Sequence, residues 1–162
     1  MPYIYEEEHK EALRTHKYHG GDNGIAYLWF YNPFANKLIE YTPEWIAPNL
    51  ITLMGFMNVI GPVIISYTIM GPDLYGPVPK WFCFFFAWCY FWYRMFDEMD
   101  GKQARKTGNG SGLGLLFDHG CDAFTVGLVT TLAMKNISNG NNLLSMLNLA
   151  TTSTSFHLAT ME

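Results

Sequence analysis

Hydrophobic and polar positions are unevenly distributed along this chain. The first 46 residues carry much of the charge, whereas the remainder holds long runs with almost none, the pattern of membrane spans behind a polar head. Ala47 to Met70 contains no charged residue over 24 positions; Pro48 suits a helix start, and Gly61 with Pro62 predicts a kink. After the turn-rich GPDLYGPVPK, the run Trp81 to Phe96 is apolar except for Arg94. It reaches the roughly 20 residues of a span only by continuing as helix into Asp97 and beyond. Leu113 to Met134 is a third run, interrupted by Asp118, His119 and Asp122, and Leu143 to Met161 is a weaker fourth, rich in Thr and Ser.

Upstream, YEEEHKEALRTHKY (residues 5–18) reads as a short polar helix with acidic residues in its first turn and basic ones in its last, matching the helix dipole. HGGDNG breaks it, and IAYLWFYNPFANKLIEY is too interrupted to span, as expected of an element lying in the headgroup region. The expected fold class is therefore all-α. It is a polytopic integral membrane helical bundle, with cytosolic or interfacial N-terminal helices over 1–46 and about four transmembrane helices over 47–162.

Composition changes this picture little. The 162 residues are 49 % hydrophobic and 17 % aromatic, which suits a soluble core or a membrane protein equally. The net charge of −4 shows no basic excess, so no nucleic-acid partner is indicated. Cys83, Cys89 and Cys121 lie in or beside apolar runs without metal-ligand pairing and are expected to be reduced. Charges fall where a cleaved signal peptide would need its apolar region. The basic residues set an orientation: Lys10, Arg14, Lys17, Lys37, Arg94, Lys102, Arg105 and Lys106 gather on one side, against Lys80 and Lys135 on the other. The N-terminus and the Asp-rich connection are thus expected to face the cytosol.

That connection, DEMDGKQARKTGNGSGLGLLFDHGCD, concentrates the chemistry. On a helix Asp97, Asp100, Gly101, Ala104 and Arg105 share a face, as do Asp118 and Asp122. The glycine-rich KTGNGSG between them predicts an antiparallel helix pair whose acidic faces can meet, with small residues (Gly101, Ala104, Gly110, Gly112, Gly114) admitting close approach or a ligand. Four converging carboxylates repel one another unless cations are bound. An all-oxygen donor set favours Mg2+ or Mn2+, ions that join a few carboxylates to substrate phosphates. Arg105 is suited to phosphate oxygens, with Lys102 and Lys106 adding point charge. The blander alternative pairs Asp97 and Asp100 with Arg94, Lys102 and Arg105 at a solvated helix end. It leaves Asp118 and Asp122, five and nine residues inside an apolar run, unexplained.

Asp97, Asp100, Gly101, Ala104, Arg105, Gly114, Asp118 and Asp122 match all eight fixed positions of the signature DxxDGxxAR, eight residues, G, three residues, D, three residues, D. The chain thereby resembles the CDP-alcohol phosphatidyltransferase family (class I). DGKQAR with LFDHGCD, and WIAPNLITLMGF upstream, are similar to its eukaryotic choline and ethanolamine phosphotransferase branch. The resemblance implies phospholipid biosynthesis: a diacylglycerol hydroxyl attacks the phosphorus bearing the head group of CDP-choline or CDP-ethanolamine, and CMP is released. It implies two Mg2+ or Mn2+ ions on Asp97, Asp100, Asp118 and Asp122, with Asp122 as the base; because a metal-bound carboxylate is a poor base, His119 and Glu162 are other candidates for the proton. It implies nucleotide contacts from Gly101 and Arg105, with Asn49, Lys102, Ala104 and Gly114 beside them; Asn49 reads equally as a helix N-cap. A homodimer in the endoplasmic reticulum or Golgi membrane, in contact with membrane lipid, is expected.

The family core resembles six or more membrane helices, whereas about four are read here, so the 47–162 domain is expected to be an N-terminal, incomplete part. A catalytically silent product that binds CDP-alcohol or a full-length relative is therefore an alternative reading, and a membrane cation channel or transporter a distant one. Trp88, Trp92 and Tyr93 suggest either a cation-π cage for a quaternary amine or lipid-facing packing.

Overall fold

The computed structural model describes residues 24–160. The polar helix expected over residues 5–18, with Lys10, Arg14 and Lys17, and the candidate base Glu162 lie outside the described residues. Among the described residues the chain is helical and contains no strand. A π-helical turn, Tyr27–Tyr31, leads into α1 (Asn32–Tyr41), followed by α2 (Pro48–Met70), α3 (Lys80–Thr107), α4 (Gly112–Asn136) and α5 (Leu143–Thr160).

These bounds follow from local chemistry. Pro48 opens α2, where its missing N–H is not needed, and the helix then runs through Pro62 without a break in its assignment. The kink expected at Gly61–Pro62 does not divide it. The aromatic run and the acidic motif form one 28-residue helix, α3. It ends where Gly108 takes the left-handed conformation (φ 67°) and returns its N–H to Ala104. Four residues later α4 begins, with Ser111 as N-cap accepting from the Gly114 N–H at 3.0 Å. The antiparallel turn predicted at KTGNGSG is thus built from a glycine C-cap and a serine N-cap.

The core sits where α1 meets the start of α2 and the second half of α3, around Ala35, Ile51, Met95 and Met99. Here α2 and α3 approach closely, since a Cβ on Gly55 would stand 3.0 Å from Phe96 Cβ. At the opposite end the α2–α3 and α4–α5 connections are knitted together. Lys135 Nζ donates to the Gly71 carbonyl, Ser138 Oγ donates to Gly76 O at 2.9 Å, and Gly140 N–H donates to Leu74 O at 3.1 Å.

Large apolar side chains cover much of the outer surface, with Phe84 at 76 %, Leu116 at 70 %, Phe124 at 72 % and Met146 at 70 % exposure. Among the described residues one helix, α2, is long and apolar enough by itself to cross a membrane. The other long helices, α3, α4 and α5, span 28, 25 and 18 residues but carry the charged motif or a lower hydropathy. Trp29 (83 %) and Ile25 (80 %) project from the segment expected in the headgroup region.

The tight α2–α3 contact is testable. Gly55→Val should destabilise the bundle by about 1–3 kcal/mol through overpacking against Phe96, read as a lowered unfolding temperature in detergent. Gly61→Ala, which meets no atom within 4 Å, should not lower it.

Candidate functional site

Antiparallel pairing of α3 and α4 brings the acidic faces together. Asp97, Asp118 and Asp122 each place a carboxylate oxygen so that the three atoms lie within 4.8 Å of one another, all half-buried. Asp100 is 5 % exposed and lies near enough to Asp118 for their negative charges to act on each other.

Each aspartate is oriented differently. Arg94, one turn before Asp97, holds Asp97 Oδ2 at 2.6 Å and reaches Glu98 at 3.6 Å, so part of the local pairing foreseen for this end exists. Tyr93, 8 % exposed, donates its hydroxyl to Asp122 Oδ1 at 2.6 Å. Asp100 accepts from Thr52 Oγ1 of α2 at 2.5 Å and from the Gly101 N–H at 2.5 Å. Asp118 differs: its Oδ1 is buried without a hydrogen-bond partner.

Oxygens bound to one Mg2+ stand at about 2.1 Å from it, and hence within about 4.2 Å of one another. A trio within 4.8 Å that includes an orphaned buried oxygen fits a hard divalent cation with little movement. One cation, Arg94, pairs directly with Asp97, which leaves the cluster with a surplus of negative charge when all four acids are ionised.

The remaining candidates are placed as follows. Gly101 lies under the Arg105 side chain, whose Nη1 is 3.6 Å from where a glycine Cβ would stand, and Arg105 is otherwise exposed. Ala104 is half-buried on the same face. Asn49 is not the N-cap of α2, a position held by Ala47. It is the second helical residue, and its Oδ1 lies 3.3 Å from the Cβ position of Gly114. Asn49, Gly114 and Ser111 thus meet at the α3–α4 turn, so closely that a side chain at 114 would crowd the other two. Lys102 and Lys106 face α1: Lys102 Nζ donates to Asn32 Oδ1 at 2.6 Å, and Lys106 Nζ to the Ile39 and Thr42 carbonyls at 2.9 and 2.7 Å. His119 is half-buried on α4, one residue beyond Asp118.

Two groups escaped the sequence reading as parts of the site: Thr52, a lone hydroxyl on an apolar helix 48 positions from its partner, and Tyr93, hidden in an aromatic run. The i, i+4 spacing of Tyr93 and Asp97 is the one signal that pointed there. The aromatic trio does not form a cage. Trp92 lines an apolar groove between α2 and α3, Tyr93 lines a different cavity between α3, α4 and α5, and Trp88 is 61 % exposed. All three cysteines are free.

Asp118→Asn is expected to weaken Mn2+ binding by more than about tenfold, and Tyr93→Phe by about tenfold through loss of its hold on Asp122. Titration of free Mn2+ by electron paramagnetic resonance reads both, and undiminished affinity in Asp118→Asn would rule out this metal centre.

With this geometry in place, comparisons with known proteins fall in line. Residues 45–161 match the family model for CDP-alcohol phosphatidyltransferase. The chain is 44 % identical over 119 residues to choline/ethanolaminephosphotransferase 2 of Arabidopsis thaliana, covering 74 % of this chain and 30 % of the relative. It is 33 % identical over 162 residues to choline/ethanolaminephosphotransferase 1 of Saccharomyces cerevisiae, covering 100 % of this chain and 41 % of the relative. It is 34 % identical over 131 residues to CDP-diacylglycerol–serine O-phosphatidyltransferase of Encephalitozoon cuniculi, covering 81 % and 33 %. The chain thus spans less than half the length of these relatives. Signature, helix pairing and family match agree: the chain belongs to the CDP-alcohol phosphatidyltransferase family.

Proposed function

We propose that this chain forms the donor and metal site of a membrane phosphotransferase of phospholipid synthesis. It moves phosphocholine or phosphoethanolamine from a CDP-alcohol to the hydroxyl of diacylglycerol and releases CMP. The convergence of Asp97, Asp118 and Asp122 within 4.8 Å, with the Asp118 oxygen left unpartnered, carries the reading. The names of the Arabidopsis and Saccharomyces relatives support the choice of head group.

Asp97, Asp100, Asp118 and Asp122 would hold two divalent ions, Mg2+ or Mn2+. Bound there, such ions neutralise the diphosphate and stabilise charge on the attacking and leaving oxygens. The protein's own groups do the rest. Tyr93, Arg94 and Thr52 hold three of the carboxylates in fixed orientation. Arg105, folded over Gly101, takes phosphate oxygens through its planar fork. Asn49, exposed on α2 against Gly114, faces the nucleotide, with Lys102 contributing charge from the α1 side. As the new bond from the acceptor oxygen to phosphorus forms, the bond from that phosphorus to the CMP oxygen breaks. The acceptor proton passes to Asp122 or His119.

The bundle reads as polytopic. Exposed apolar side chains on α2 to α5 meet lipid, and Trp29 and Ile25 rest at the headgroup level. Lys37, Arg94, Lys102, Arg105 and Lys106 mark the cytosolic end, and Lys80 and Lys135 the opposite one, so the site opens to cytosolic nucleotide. An endoplasmic reticulum or Golgi membrane suits such an enzyme.

Reconstituted in vesicles with labelled CDP-choline or CDP-ethanolamine and diacylglycerol, the chain is expected to release CMP. Release should be lost in chelator and lowered at least about 100-fold in Asp118→Asn. CDP-alcohol binding without release would make it a silent binding module. Release only with CDP-diacylglycerol and serine would place it with the Encephalitozoon relative.

A further inference from the structure

Gln103 fills one of the variable positions of the signature DxxDGxxAR, yet it is fully buried. Its Nε2 donates to two carbonyls of the segment between α1 and α2, Pro43 O at 2.9 Å and Ile46 O at 3.0 Å. Two acceptors at one end settle which end of the carboxamide is nitrogen. At the other end Oε1 is buried and, among the described residues, without a hydrogen-bond partner. An orphaned buried acceptor opposes folding, and an apolar side chain of the same length would avoid it. What the carboxamide adds is direction.

Direction matters at this place in the fold. The core around Ala35, Ile51, Met95 and Met99 is apolar, and apolar contact is non-directional, so it tolerates a slide of one helix along another. Close approach at Gly55, where an added Cβ would stand 3.0 Å from Phe96 Cβ, fixes how far apart α2 and α3 lie. The paired bonds from Gln103 fix the height instead, because Ile46 stands two residues before Pro48, which opens α2. Asn49, Thr52 and Gly55 follow at three-residue intervals and share the face turned to α3 and α4. On that face Thr52 Oγ1 reaches Asp100 Oδ2 at 2.5 Å, and Asn49 Oδ1 lies 3.3 Å from the Cβ position of Gly114. A slide of one residue is about 1.5 Å of rise, enough to break either contact.

We infer that Gln103 is a positioning residue: its carboxamide holds the entry to α2 at the height that places Thr52 on Asp100 and Asn49 against Gly114. It acts through those two side chains and not by contact with substrate or metal. This rests on the reading of the acidic cluster as a metal centre and gives α2 a part in building it.

Two measurements on the detergent-purified chain test it. In the first, spin labels replace Leu50 of α2 and Phe84 of α3, 44 % and 76 % exposed, with the three cysteines changed to alanine. Their separation, which runs along the helix axes, is read by double electron–electron resonance without added metal. Expected is one narrow distribution with Gln103, shifted or broadened by about 1.5 Å or more in Gln103→Met. An unmoved distribution overturns the inference. Gln103→Asn, whose amide falls one methylene short of the two carbonyls, is read in the same way and takes the place of Gln103→Met if that variant does not fold. In the second, free Mn2+ is titrated by electron paramagnetic resonance. Gln103→Met should weaken binding about tenfold beside Thr52, and less than about twofold in a Thr52→Val chain, which has already lost the contact through which Gln103 acts. Equal losses in the two backgrounds, as a merely structural role would give, or no loss in either, overturn the inference. If the unsubstituted chain binds no Mn2+, the metal reading of the cluster falls, and the distance measurement alone decides whether Gln103 sets the height of α2.

Discussion

Mutual repulsion of carboxylates held at one level of a helix pair governs this structure. At 4.8 Å two like unit charges cost about 3.5 kcal/mol at an effective dielectric near 20, and the cluster contains several such pairs. Three features resist the repulsion. The glycine C-cap at Gly108 and serine N-cap at Ser111 fix the turn that sets α3 against α4. The bare backbone at Gly55 lets α2 press against α3 and deliver Thr52 to Asp100. Tyr93, Arg94 and the Gly101 N–H each occupy an oxygen that would otherwise face another. Arg94 alone of these carries charge, so the bonds within the chain fix orientation and leave most of the negative charge unneutralised.

The helix before the first span is tied to the motif more firmly than an interfacial helix requires. Lys102, Gln103 and Lys106 all reach α1 or the segment after it: Lys102 to Asn32, Gln103 Nε2 to the Pro43 and Ile46 carbonyls at 2.9 and 3.0 Å, and Lys106 to the last carbonyls of α1. Gln103 is fully buried. Lys106 meets the negative end of the α1 dipole, where a cation is favoured. The signature helix therefore divides its faces. The aspartates gather on one face, and the residues between them clamp the helix that carries the exposed aromatics. The acidic cluster and the docking of α1 thus depend on one helix.

Around this centre the neighbouring surfaces differ in character. Asn49, Gly114 and Ser111 close together at the turn between α3 and α4, a cleft lined by hydroxyls and apolar side chains lies between α3, α4 and α5, and Asp122 belongs to the cluster as well as to that cleft.

Much of this was legible in the residues alone. Long apolar runs with few charges marked α2 to α5, KTGNGSG marked the turn, and three- and four-residue spacings put the aspartates on facing stripes, because local sequence dictates helix ends and helical faces. Resemblance to a known signature then named the chemistry. Tertiary structure decided which neighbour each face meets and at what height. Asn49 left its N-cap role and came to face Gly114, the lysines turned toward α1, and Tyr93 parted from Trp92 to bond Asp122. Periodicity reports only an angle around an axis, while partners 29 to 70 positions apart are matched by how far one helix slides along another. That distance is set by the packing of Gly55 against Phe96 and by the length of the loops, and it appears only when the helices are assembled.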